Sequence, residues 1–473
     1  MERLIKIGKI KPRKASEIKN SRIGIGFEKL DRKVFNPEKA YDKLAMIGAK
    51  WVRIQSGWER TEQEKGVYDF EWLDSIVDNL LERGLVPWIN LAYGNGLYDD
   101  DAAKVFGAVG CPPVKSEEAK KGWADYITAL AAHMKGRISY YEVWNEPDGE
   151  WCWKHGPNGK KYGQFVVDTS VALKKGDSSA KVIGGAICMA KPLDFAYDAF
   201  SVGMGEHIDA ISFHEYVIDE TVVFRHVKAL RGLCNRFNPN IEIIQGESGS
   251  QSRSDGRGAM RKGAWTPHKQ AKQLLRHLMA DLMTEVKFTS YFSCMDMIEA
   301  LNGTVGDLVS YLDYGYFGVL GADFDAQGRS VGNYTPKPSY YALQTISAIF
   351  SEDVQKADLP IIRWPEVSDR LFGFDCDDPS IVEGGFKCEN GSAAFVYWNS
   401  TNLMTTDFES TVTFYTAGLP DKIRLVDLMD GTVYELPESI LESKGEGKYA
   451  IHNIPIKDYP MALLFGDFKE INI

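Results

Sequence analysis

Two runs of β-forming residues each end on a glutamate. The first, "ISYYEVWNEPDG" (138–149), sets Glu146 between an amide and a proline; the second, "IEIIQGESGS" (241–250), sets Glu247 behind a glycine. A buried strand gains nothing from a carboxylate at its tip unless something meets the charge there. Two carboxylates facing across a cleft are what cleavage of a glycosidic bond requires. One protonates the departing oxygen; the other attacks the anomeric carbon or activates a water. A lone strand-end Glu is more often solvated or half of an ion pair, so the weight rests on the pair and its neighbours. Asn145 is placed to hold a substrate hydroxyl beside Glu146, Pro147 stiffens the turn, and Trp144, Trp151 and Trp153 crowd the same mouth. Arg53, midway along "WVRIQSGW", is costly to bury without an anion; Glu247 would suit it and stay ionised beside it.

The elements that must position these groups can be read from periodicity. Apolar runs at 22–27, 51–55, 85–92, 138–144, 181–188, 208–213, 241–246 and 287–293 alternate with amphipathic segments. The clearest segment is "FEWLDSIVDNLLERG" (70–84), with one stripe from Trp72 to Leu81 and Gly84 as its stop; 37–48, 117–135, 220–236 and 268–284 read likewise. Eight strands alternating with helices predict an α/β fold, a (β/α)8 TIM barrel over residues 21–350. An open doubly wound sheet is disfavoured because no GxGxxG follows the first strand. Glu146 and Glu247 then end strands four and seven, and both open onto the C-terminal face, where barrel active sites lie. After residue 350 the pattern alternates apolar and polar, with Asp430-Gly431 as a hairpin turn, so 351–473 is expected to form an appended all-β sandwich. The alternating "RLIKIGKI" within residues 1–20 is expected to add a strand to that sandwich.

Composition narrows the function classes. A net charge of −11 argues against nucleic acid or an anionic membrane as partner, and no apolar run is long enough to span a bilayer. The first twenty residues are basic without a continuous apolar stretch, so no signal peptide is expected and the expected location is cytoplasmic. Seven scattered cysteines (111, 152, 188, 234, 294, 376 and 388) read as reduced core thiols. With no CxxC, HxH or HExxH, neither a metal nor another cofactor is expected. An oligomer is compatible with all of this. Aromatic content is 12%, with 11 Trp and 22 Tyr, which suits stacking on sugar rings as well as packing cores.

"EVWNEPDG", "QGESG" and "SFHEY" together resemble the clan A retaining glycoside hydrolases, and the chain is most similar to glycoside hydrolase family 39, the β-xylosidases and α-L-iduronidases. The likeness covers barrel and sandwich. It implies that Glu146 is the general acid/base, Glu247 the nucleophile, and Asn145 the ligand of the hydroxyl next to the anomeric carbon. It implies too that His214 and Tyr216 line the pocket near the nucleophile, with Arg53 beneath it. One departure stands out: strand eight reads "YFSCMDM" where many clan members carry a tryptophan.

Other residues at strand ends are weaker candidates. Glu28 either grips sugar hydroxyls or pairs with Arg32; Trp58, Tyr93 and Asn95 follow strands two and three and are expected to touch substrate. Trp88 reads as core, and His133, His226 and His277 as structural. The Gly-rich basic loop 248–265 is either a lid or solvated surface. The reading is a retaining glycosidase needing no metal. Long insertions after strands three, seven and eight favour exo action on a terminal sugar, with a β-xyloside first on family likeness. The alternatives are an endo-acting clan A glycanase on a β-linked polysaccharide and a non-catalytic carbohydrate-binding barrel.

Overall fold

The computed structural model describes residues 4–188, 193–352, 354–364 and 380–472. Leaving aside β1 (Ile5–Ile10), the chain runs into eight parallel strands that close on themselves. They are β2 (Ile23–Gly26), β3 (Trp51–Gln55), β4 (Val86–Leu91), β5 (Tyr140–Val143), β6 (Lys181–Cys188), β7 (Ala210–Glu215), β8 (Glu242–Ser248) and β9 (Thr289–Tyr291), and β9 pairs back onto β2. The parallel (β/α)8 barrel is therefore as the periodicity predicts, with β2 to β9 as barrel strands one to eight.

The helices outside the barrel form where apolar spacing and caps agree. Glu71–Glu82 buries Leu73, Ile76, Val77 and Leu80. Its chain reversal falls at Gly84, whose φ of +76° is left-handed and where a Cβ would lie 2.6 Å from the Ser16 Cα, so no other residue fits there. Glu117–Met134 starts where Ser116 accepts from the Ala119 N–H, and Pro267–Leu282 where Thr266 accepts from Lys269. The barrel floor is sealed by Trp88, Ile183, Ala210, Ile244 and Phe288, with Trp51 stacked on Phe288 at 4.4 Å. Trp88 is core, as its mid-strand position implied.

Beyond residue 350 two antiparallel sheets pack face to face, with Phe395 and Tyr397 of one against Phe414 of the other. The larger sheet takes in β1, which pairs with Thr432–Glu435 on one side and Ile471–Asn472 on the other. Asp430 and Gly431 (φ +73°) make the tight turn between Ile423–Asp427 and Thr432–Glu435. Barrel and sandwich are joined through buried charge. Glu220 accepts from Arg276 at 2.8 Å and from the Trp398 indole at 2.7 Å, and Lys272 meets Asp458 at 2.7 Å.

Cys111, Cys152, Cys188, Cys234, Cys294 and Cys388 are free thiols; Cys376 lies outside the described residues. Among the described residues no helix is long and apolar enough to cross a membrane.

Candidate active site

The C-terminal end of β5 turns sharply. Trp144 (φ +69°) and Glu146 (φ +44°) both take left-handed backbone, which is uncommon for residues with a Cβ and tends to mark functional positions. The turn separates two neighbours. Trp144 is fully buried against Trp123, Trp153 and Phe165, its N–H donating to the Cys152 carbonyl at 2.7 Å. Glu146 instead lines the cavity above the barrel. One of its oxygens accepts from the Trp151 indole and the other lies 3.1 Å from His214 Nδ1.

Glu247 reaches the same cavity from β8, where the register against β7 shifts by one residue between Phe213 and His214. Gly246 is the extra residue. A Cβ there would lie 3.0 Å from both His214 Nε2 and a Glu142 oxygen, so the bulge needs glycine to keep those groups in place. One Glu247 oxygen accepts from Arg53 Nη1; the other accepts the Tyr216 hydroxyl at 2.7 Å and lies 3.6 Å from His214 Nδ1.

Arg53 underlies the site with no solvent exposure. Its Nε and Nη2 donate to one Glu142 oxygen at 2.9 and 2.5 Å, Nη2 also to Asn145 at 2.8 Å, and Nη1 lies 3.5 Å from Glu28. Glu142 accepts in turn from Asn90 at 2.9 Å and Ser212 at 2.6 Å. Arg53, Glu142 and Ser212 come from barrel strands two, four and six. This is the alternate-strand layer that in such barrels is usually filled with branched apolar side chains. Here it is polar, and it fixes Asn145 and Glu247 from below.

Burial alone would raise the Glu247 carboxyl. The facing His214, the Arg53 guanidinium and the Tyr216 hydroxyl outweigh it and hold Glu247 below the usual carboxylate range. Burial would lower His214, but Glu247 and Glu146 more than offset that and raise it. Burial raises Glu28, with Arg53 opposing and Glu247 adding to the rise. Glu146, His214 and Glu247 each bring one ligand-capable atom within 4.8 Å of the others, a set that is also able to hold a divalent cation.

The cavity holding these groups is narrow, about 70 Å³. Lys29, Gln55, Phe292, Glu299 and Phe317 line it too, none of them expected there from the sequence, as does Arg32, which the sequence offered only as a partner for Glu28. Phe292 follows the last barrel strand, 5.5 Å from Phe317, and places an aromatic ring in the wall near where many clan members carry a tryptophan. The loop 248–265 closes part of the rim through Ala259, while Arg253 and Asp255 pair in solvent.

Asn145, His214, Tyr216, Arg53, Glu28 and Tyr93 are brought to the glutamates, and Trp151 touches Glu146 directly. Glu28 faces Arg53, not Arg32, which instead donates to Gln55 at 2.5 Å. Trp144 and Trp153 do not crowd the mouth; both are core. Trp58 and Asn95 do not reach this cavity either. Gly57 (φ +59°) turns Trp58 back against Tyr98, Trp123 and Tyr126 with its N–H on Glu62, and Asn95 donates to the Glu62 carbonyl at 2.8 Å. Both stand in the wall of a neighbouring cavity of about 540 Å³. Glu142 was legible in principle, as a carboxylate inside the apolar run "ISYYEVW".

Fold and site together resemble the glycoside hydrolase barrels of clan A. The model of the family described as "Glycosyl hydrolases family 39" matches residues 38–231, which run from before β3 to past β7, and the chain is most like that family. A β-xylosidase from Caldicellulosiruptor saccharolyticus is 29% identical over 191 residues, 37% of this chain and 38% of that protein. One from Geobacillus stearothermophilus is 28% identical over 163 residues, 32% of this chain and 31% of that protein. The chain thus aligns with under two fifths of either relative's length. Over nearly the whole chain the fold is similar to a monomeric β-xylosidase from Caulobacter crescentus CB15, with a TM-score of 0.59, 17% identity and 97% of each chain covered. It is similar also to a family 39 glycoside hydrolase from Bacteroides cellulosilyticus WH2, with a TM-score of 0.64, 17% identity, and 94% of this chain and 81% of that one covered.

Proposed function

We propose that this protein is a retaining, exo-acting glycoside hydrolase that removes a terminal sugar, a β-xyloside first, by double displacement. The observation that carries the reading is the spacing of Glu146 and Glu247, whose nearest oxygens lie within 4.8 Å. Carboxyl groups about 5–5.5 Å apart suit direct attack on the anomeric carbon; inverting enzymes need about 6.5–9.5 Å to admit a water. Glu247, held ionised by Arg53, His214 and Tyr216, attacks the anomeric carbon and forms a glycosyl ester. Glu146, oriented by Trp151 and His214, gives its proton to the departing oxygen, then takes one from the water that hydrolyses the ester. The narrow cavity, walled by insertions at Ala259 and Leu301, favours removal from a chain end.

Both sequence relatives are β-xylosidases, and that supports xylose as the first sugar to try. A panel of aryl glycosides differing only in the sugar tests the substrate, and proton NMR of the first product tests the stereochemistry. Release of the inverted anomer would end the retaining reading, and early mixed oligomers from a polysaccharide would replace exo with endo action. The expected cytoplasmic location and the possible oligomer remain part of this proposal. Fractionation of the source cells and light scattering would test them.

A further inference from the structure

The cavity of about 540 Å³ meets the catalytic cavity at Arg32 and Tyr93, which line both. Its place on the barrel says which part of a substrate it would hold. Glu146 and Glu247 end strands four and seven, so the bond to be broken lies on the line between them. The remaining catalytic-cavity residues come mostly from one side of that line. Glu28, Lys29 and Arg32 follow strand one, Gln55 ends strand two, Tyr93 follows strand three, and Phe292 follows strand eight. The sugar ring under attack therefore sits over strands eight to three, and the leaving group departs over strands five and six. The larger cavity is lined by residues following strands one, two and three, with Val305 from the insertion after strand eight. It lies beyond the ring being cleaved, on the side away from the leaving group.

Its walls suit a sugar. Asp31, Lys33, Glu59 and Arg60 offer charged hydrogen-bonding groups, and Phe106 offers a flat aromatic face braced by Tyr311 stacked at 4.2 Å. Its volume is within the range of about 300–1,000 Å³ that binds small molecules. We propose that this cavity is a second glycone subsite, so that the preferred unit released is a disaccharide, not a single sugar. The inference rests on the glycosidase reading and replaces its single terminal sugar with a terminal disaccharide. Arg32 is then the residue at the neck between the two rings. It donates to Gln55 and lies over the Tyr93 ring at 5.4 Å.

The test uses the full-length enzyme and matched pairs of 4-nitrophenyl β-glycosides, a single sugar and its β-linked disaccharide, starting with xylose. The disaccharide glycoside should release nitrophenol together with intact disaccharide, with kcat/KM about tenfold or more above that of the single sugar, because remote binding is spent at the reacting bond. Val305→Trp, made from a position 55% exposed at the cavity wall, should remove that advantage and leave the single-sugar rate unchanged. Trimming one sugar at a time, with free monosaccharide appearing before nitrophenol, would overturn the proposal, as would a Val305→Trp variant that treats both substrates as wild type does. Activity on single sugars alone would defeat this inference and leave the glycosidase reading intact. No activity on any pair would defeat both.

Discussion

Replacing Glu146 by alanine should separate the two halves of the reaction. The side chain removed is the one held by Trp151 and His214, while Arg53 and Tyr216 still hold Glu247. The nucleophile therefore survives and only proton transfer is lost. A positioned general acid is worth about 10²–10⁴ in rate, or about 2.7–5.4 kcal/mol at 1.36 kcal/mol per decade. A glycoside with a sugar or alkyl leaving group should lose that full factor in kcat/KM. A dinitrophenyl group leaves as its own anion, so kcat/KM for that substrate should stay within about tenfold of wild type. Its deglycosylation still lacks a base, so kcat and KM should fall together as the glycosyl ester accumulates. Azide needs no base and can enter the vacated space beside His214 Nδ1, restoring turnover and giving a glycosyl azide of retained configuration. Stopped-flow release of dinitrophenol and NMR of the azide product read both steps. A Glu247→Ala variant should be inactive on both substrates. An inverted azide, or the same leaving-group dependence in the two variants, would refute the roles given to these glutamates.

Tyr216→Phe removes a hydrogen bond to the ionised form of Glu247, so that carboxyl should rise and the acid limb of the kcat/KM profile move to higher pH; a limb that stays in place would show the bond does nothing for the charge. Glu220→Ala strips a buried partner from Arg276 at the barrel–sandwich junction and should cost about 3–5 kcal/mol, read as a lower urea midpoint. An unchanged midpoint would mean this pair does not hold the junction. Dialysis against a chelator should leave activity intact, because the roles proposed for Glu146, His214 and Glu247 (acid/base, orienting group and nucleophile) need no metal. Added zinc should instead inhibit competitively with substrate by taking the same three ligands, and activation by zinc would reverse that assignment.

The barrel was legible because each of its strands is a short apolar run and each is followed by an amphipathic or turn-rich segment. The two glutamates were legible because a carboxylate closing such a run is costly without a task. What escaped the sequence depends on turns and on contacts across the barrel. Trp58 follows strand two as a mouth residue would, but one left-handed glycine before it redirects the ring into the core. Trp144 and Glu146 are two residues apart with opposite fates, because the backbone between them leaves the extended conformation. Glu142 meets Arg53 only once alternate strands converge on one layer, a relation separated by 89 positions in the chain. Phe292 stands in the cavity wall beside Phe317, which comes from an insertion with no periodicity, so their pairing could not be read from the sequence.

The pairing of β1 has a consequence during synthesis. Its partners Thr432–Glu435 and Ile471–Asn472 emerge some 420 or more residues after it. At about 5–20 residues per second that is a wait of roughly 20–85 s, long enough for the barrel to close first. Through that interval β1 is a strand with two bare edges, the state most open to pairing with another nascent chain. Its sequence, IKIGKI, sets Lys6 and Lys9 along the segment, and the register against Thr432–Glu435 slips between Lys6 and Gly8. Charge and a broken register discourage a second copy of the same strand from adding on. The last strand to find its place is thus one of the first to be made, and it carries its own protection until then.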